Sequence, residues 1–360
     1  MLATATPTQH PPRFAPGRIA LWLALATLLA PAPATAQTSD DAIIPQIRPE
    51  TLIPLGQQDK LTLKMDERLG FDGVSMTDPL TETSINPGAV SQIDAGLDFT
   101  PNPYAAVNER FSYGYSRVDY FQHPEYRYDR HSFAARVAGH GGGGQWALSA
   151  SAEIWSEGGA HLFNTYTGEA SYALLMGGGA QLLADYRFQR TQYFFARADS
   201  DLHQGTLALV APLGRAGSFV VTGVNVSRQT ARSDQLYIGV DPASGTPVVD
   251  LFYRPYDHWG ESAFATLRLR DIAGQPLLTG GADLVVQRQR YTHVDYAIDP
   301  ANGALRHDSQ LLASGFVQYR MTRNLYARVT VQRQDDWSNL ASVDRHGSGA
   351  TLGLRWRWGK

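Results

Sequence analysis

Ala350-Thr351-Leu352-Gly353-Leu354-Arg355-Trp356-Arg357-Trp358, close to the end of the chain, alternates apolar with polar residues. Successive side chains of a β-strand point to opposite faces, so Leu352, Leu354, Trp356 and Trp358 share one face and Thr351, Arg355 and Arg357 the other. A soluble sheet turns its apolar face to a core. Here the same short pattern recurs along most of the chain, and that face is expected to meet lipid.

Working back from this strand, the alternation begins at Lys60, with Leu61, Leu63 and Met65, and returns at Ile93, Ala95, Leu97 and Phe99. Later segments repeat it: Phe111, Tyr113 and Tyr115; Phe133, Ala135 and Val137; Trp146 to Ile154; Tyr166 to Leu174; Leu182 to Phe188; Leu207 and Leu209. Further segments carry Ala263 to Leu269, Leu278 to Val286, Leu311 to Tyr319 and Leu325 to Val331. Around Phe219 to Val226 both faces are apolar, so orientation is ambiguous there. Short turns are expected at Thr100–Pro103, Gly141–Gly144, Gly177–Gly179, Pro212–Gly217, Asp271–Pro276 and Met321–Asn324. Long connections are expected at Tyr291–Asp308 and Asp335–Gly347. Val248 to Tyr253 reads either as an extra strand or as part of one large loop from about Arg232 to Asp257. The loop reading keeps every short turn on one side. The expected fold is therefore all-β, a transmembrane antiparallel up-and-down barrel of about 14 strands, with 12 or 16 as neighbouring counts. Its termini and short turns would lie in the periplasm.

Composition agrees with this reading. No residue is cysteine, which excludes disulfides, thiolate metal sites, a Cys nucleophile and an N-terminal lipid anchor. Arg13 and Arg18 precede an apolar run from Ile19 to Leu29 and a small-residue site at Ala34-Thr35-Ala36. Residues 1–36 therefore read as a signal peptide, with a mature start near Gln37. Residues 37–59, with Pro45, Pro49 and Pro54, read as a periplasmic extension, and residues 60–360 as the barrel. Without the signal, 29 basic face 34 acidic residues, a balance of -5, which argues against nucleic acid as a partner. The only lysines are Lys60, Lys64 and Lys360. Positive charge is thus almost entirely Arg, suited to bidentate pairs with carboxylates in a confined interior.

The inward faces carry the functional signal. Barrel closure is expected to bring Arg110, Arg136, Glu153, Glu169, Asp185 and Arg187 into the lumen, together with Arg268, Arg270, Arg328, Arg355 and Arg357. A hydrated lumen tolerates such groups, whereas a dry core demands a partner for each. A polar conduit is one reading, and a narrow barrel filled by Arg–carboxylate pairs is the other. Trp146, Tyr104, Trp356 and Trp358 fit membrane-interface anchoring. Tyr120, Tyr126, Tyr128, Tyr253, Tyr256 and Trp259 fall in the long connections, where they would contact an external ligand or pack the loops.

Catalysis is not expected. Asp257-His258, His307-Asp308 and Asp344-Arg345-His346 place acids beside histidines, but no nucleophile signature accompanies them. The histidines are too scattered for a metal motif, and the glycines at Gly141–Gly144 precede no helix that could cradle phosphate, so no cofactor is expected.

Leu61 to Gly73, then Thr83-Ser84-Ile85-Asn86-Pro87-Gly88, then Tyr113 to Tyr120 before Asp129-Arg130 carry a family resemblance. The chain resembles Gram-negative outer-membrane porin-like proteins, and more narrowly the beta-barrel porin 2 group associated with exopolysaccharide operons. The resemblance implies the outer membrane as location. It implies passage of hydrophilic solutes or export of a polysaccharide, with outer-membrane lipid and the barrel-insertion machinery as partners. A structural or adhesive barrel with a plugged lumen is the alternative. Barrels of this kind commonly end on an aromatic residue, often Phe, whereas this chain ends Trp356-Arg357-Trp358-Gly359-Lys360, leaving Trp358 for that part.

Overall fold

In a computed structural model the chain forms a closed antiparallel barrel of 14 strands. The structure describes residues 60–72, 76–77, 84–85, 88–103, 105–124, 127–193, 199–214, 217–232, 235–240, 247–253, 257–294, 305–339 and 344–359. The expected signal peptide, mature start and 37–59 extension lie outside the described residues. So do Tyr104, Tyr126 and Tyr256.

The wall runs β1 (Leu61–Asp72), β2 (Gly88–Phe99), β3 (Val107–Tyr120), β4 (Tyr128–Gly141), β5 (Gly144–Glu157), β6 (Ala160–Leu175) and β7 (Gln181–Tyr193). It continues β8 (Ser200–Leu213), β9 (Ser218–Ala231), β10 (His258–Leu269), β11 (Leu278–Val294), β12 (Leu305–Arg320), β13 (Leu325–Ser338) and β14 (Arg345–Gly359). Each strand pairs with its sequence neighbour, and β1 pairs with β14 to close the ring, Met65 opposite Trp356 and Asp66 opposite Arg355. Closure leaves no unpaired edge, which a lipid environment would penalise.

The stretch from Arg232 to Asp257 adds no strand to the wall. Gln235–Val240 and Pro247–Tyr253 pair only with each other, as a two-stranded hairpin outside the barrel sheet. The large-loop reading therefore gives the right parity, although the loop has a sheet of its own.

Two expectations about the connections are corrected. The wall strands are 12 to 17 residues long, more than the roughly 9 to 11 that a bilayer requires, so they project beyond the apolar band. β11 and β12 take up eight of the 18 residues of Tyr291–Asp308, and β13 and β14 seven of the 13 of Asp335–Gly347, both expected to be loops. The side of the long connections is also not uniformly long, since only Gly158 and Gly159 join β5 to β6. On the short side, Gly142 and Gly143 join β4 to β5 with φ of 61° and 80°. A two-residue hairpin of this hand requires positive φ at both positions, which glycine supplies without steric cost.

The outer wall is apolar in the way the alternation demands. Leu352 is 59% exposed and Leu354 51%, with Leu148, Leu207 and Val286 exposed alike on other strands. The ambiguous ninth strand is settled by register. Val224 and Val226 are exposed outward, whereas Val221 is fully buried in an inward cluster with Leu183, Ala208, Val210, Phe264 and Val285. The inner wall is thus apolar in one sector and charged elsewhere.

Candidate functional site

β14, β1, β2 and β3 carry two ionic clusters on their inward faces. Asp66 of β1 accepts from Arg355 of β14 at 2.6 Å, and Arg68 pairs with Asp94 of β2. Asp98 of β2 receives Lys64 at 2.7 Å, Arg110 of β3 at 2.8 Å and the Ser112 hydroxyl at 2.7 Å. Asp66 is only 6% exposed. The polar face works because every second residue of β1 is Lys64, Asp66 and Arg68, and because Gly353 of β14 leaves room beside it. A Cβ at Gly353 would collide with the Arg68 side chain.

Further around the wall, Arg268 of β10 pairs with Asp283 of β11 at 2.9 Å, and Asp283 also accepts from Thr266 at 2.8 Å. Arg328 of β13 lies 3.9 Å over the Phe316 ring of β12 and donates to Thr330 at 3.1 Å. Arg328 has no carboxylate partner among the described residues.

Carboxylates gather elsewhere, on β5 to β7. Glu153 accepts from the Trp155 indole at 3.2 Å and faces Arg130 of β4 at 3.9 Å. Glu169 of β6 is in register with Arg187 of β7, and Ser171 with Asp185, so Glu169 and Asp185 are diagonal neighbours. Arg136 is on the inward face of β4, in register with Arg110 and Ser149. The strand order sets β6 seven strands from β13 and β7 seven strands from β14. In a ring of 14 these are opposite walls. Glu169 and Asp185 therefore face the sector that carries Arg328 and Arg355.

Arg270 is not in this wall. It follows the end of β10, donates its backbone N–H to Ser218 at 2.9 Å and lays its guanidinium beside Gly217 at the rim. Its expected inward position extrapolates the alternation of β10 past the strand's last residue. Arg357 is inward by parity but exposed, near the short-turn end of β14. Sequence reasoning missed Lys64, Asp66, Arg68, Asp94 and Asp98. Outward Glu67 interrupts the apolar face of β1 and hides the charged alternation behind it.

The remaining candidates do not converge. Tyr120 and Tyr128 are strand residues packed edge to face at 6.4 Å, and Trp259 is half-exposed on the outer wall of β10. Tyr253 ends the outer hairpin. His258 packs against the Tyr291 ring, Asp257 accepts from the Ala231 backbone, and His307 and Asp308 fall on opposite faces of β12. Asp344 caps the Ser338 backbone, while His346 bonds Asp335 at 3.0 Å.

A closed 14-strand antiparallel wall, apolar outside and charged inside, defines a transmembrane β-barrel of the outer-membrane type. No known sequence family matches the chain, and no curated protein does. Among solved structures it is similar to OmpT, an outer membrane protein of Vibrio cholerae (TM-score 0.43, 9% identity, 85% of this chain and 100% of that one). It is also similar to the outer membrane protein OpdK from Pseudomonas aeruginosa (0.42, 7%, 83% and 99%). A third is the translocator domain of the autotransporter NalP from Neisseria meningitidis (0.37, 10%, 84% and 90%). The likeness is one of barrel architecture at remote identity.

Proposed function

We propose that the barrel is a passive conduit for hydrophilic solutes, without a catalytic step. The observation that carries this reading is the direction of the inner ion pairs. Asp66–Arg355, Arg68–Asp94, Lys64–Asp98, Arg110–Asp98, Arg268–Asp283 and Arg130–Glu153 all join adjacent strands. These six pairs run along the wall and not across the interior. Charges paired along the wall coat a lumen, whereas pairs across it would fill one. Fourteen strands also exceed the roughly eight at which interior side chains alone fill a barrel.

Cationic groups outnumber carboxylates on β10 to β3, read through the β14–β1 closure, so the preferred solutes are neutral or anionic. An acidic exopolysaccharide moving outward fits this class, as does uptake of small anionic solutes. Swelling of liposomes that contain the full chain tests the conduit directly. Neutral saccharides and small carboxylates should enter faster than amines of equal size, and absence of swelling with every solute would refute the reading. Polymer secretion by a strain lacking the gene tests export, and unchanged secretion would remove that cargo.

A second reading is a structural or adhesive barrel with a blocked lumen. The buried inward cluster of Leu183, Ala208, Val210, Val221, Phe264 and Val285 favours it, because a fully hydrated wall would leave those groups wet. Swelling that stays absent after deletion of residues 37–58 would support it.

A further inference from the structure

The outer wall of β9 to β12 has a cationic row just beyond the apolar band, on the side of the long connections. Arg228, Trp259, Arg290 and His307 are register partners across these four strands. One step closer to the band, Val226, Glu261, Arg288 and Ser309 form the next outward row. The row below that is Val224, Ala263, Val286 and Leu311, wholly apolar.

Elsewhere on this rim three outward arginines are each clamped by a carboxylate in two hydrogen bonds. Arg117 holds Asp119 at 2.7 and 2.9 Å, Arg190 holds Asp201 at 2.8 and 3.0 Å, and Arg333 holds Asp335 at 2.7 and 2.9 Å. The β9–β12 sector differs. Arg290 and Glu261, both 56% exposed, approach only to 3.6 Å, and Arg228 reaches buried Asp257 at 3.8 Å while its guanidinium covers the Trp259 ring at 5.1 Å. Exposed Arg288 has no ion pair or hydrogen bond among the described residues.

Depth decides what can neutralise this excess. Two residues advance about 7 Å along a strand, less across the bilayer once strands tilt, so the Arg288 row falls in the interfacial layer rather than in hydrocarbon. Trp259 is a residue type suited to that layer. We propose that this sector binds the phosphate of an anionic lipid headgroup, held by Arg288 and Arg290 with Arg228 beside them. Guanidinium groups match phosphate geometry in pairs, and the apolar row beneath receives the acyl chains. The site is independent of what the lumen carries.

Native mass spectrometry of the full chain in detergent tests this, with bisphosphorylated lipid A and its dephosphorylated form as probes. Wild type should retain the phosphorylated probe, and Arg288→Glu with Arg290→Glu should weaken retention by about tenfold or more, at roughly 1 kcal/mol per basic residue near a membrane surface. Arg190→Gln, on the clamped part of the rim, should retain it as wild type does. Equal retention by the double variant, or of the dephosphorylated probe, would overturn the proposal. Displacement of the lipid by an equal concentration of inorganic phosphate would overturn it too, by reducing the site to a free-phosphate site. Should the double variant fail to fold, Arg288→Gln alters one exposed group, and unchanged retention by that folded variant would also overturn the proposal.

Discussion

Two opposite sectors of the inner wall differ in how their charges are held. On β13, β14 and β1, Arg355 is bound to Asp66, Arg68 to Asp94, and Arg328 rests on Phe316 with no carboxylate partner among the described residues. On β6 and β7, Glu169 and Asp185 are diagonal neighbours with Arg187 between them in register. The first sector is mainly cationic; in the second, two carboxylates flank one arginine. A solute between them would meet a field directed across the pore, strongest where low-dielectric walls focus it. A uniform coating would retard by size alone, whereas opposed sectors sort by charge.

Substitutions on either face of the wall test this difference. It requires first that adjacent residues of one strand point to different media. Leu354→Arg places a charge on the lipid face beside Arg355 and should cost about 2 to 4 kcal/mol of insertion stability at mid-bilayer depth. Urea titration in lipid vesicles measures this, and normal assembly would reverse the faces. Gly353→Val should cost about 1 to 3 kcal/mol in the same titration by overpacking against Arg68.

Charge reversal then separates the sectors. Arg328→Glu reverses the charge over Phe316 and should lower the anion-to-cation permeability ratio by about threefold, with folding retained. Glu169→Gln with Asp185→Asn should raise the ratio by less, about 1.5-fold, because Arg187 already offsets those acids. Arg270→Glu at the rim should change it least. A shift from Arg270→Glu as large as that from Arg328→Glu would place the selecting region at the mouth rather than in the wall.

Much of this fold is legible in the alternation, and the places where it fails share a cause. Outward residues are apolar only where they meet hydrocarbon. Beyond the band, Arg288 and Arg290 of β11 and Arg333 and Asp335 of β13 are outward too, so the strand continues while its signature disappears. Tyr291–Asp308 and Asp335–Gly347 therefore read as loops. Glu67 has the same effect on β1 within the apolar face. Inward candidates such as Glu153, Glu169, Arg328 and Arg355 follow from parity alone. Their partners do not, because the Asp66–Arg355 pair exists only once the first and last strands close the ring. Arg270 shows the opposite failure, where parity is carried past the strand that gives it meaning.

The most direct test of the conduit is the reversal potential of the full chain in a planar bilayer under a salt gradient, compared with Arg328→Glu. Open-channel current, an anion-preferring reversal potential for wild type and a shift toward cations in the variant are expected. No current from either protein, with or without residues 37–58, would contradict the conduit.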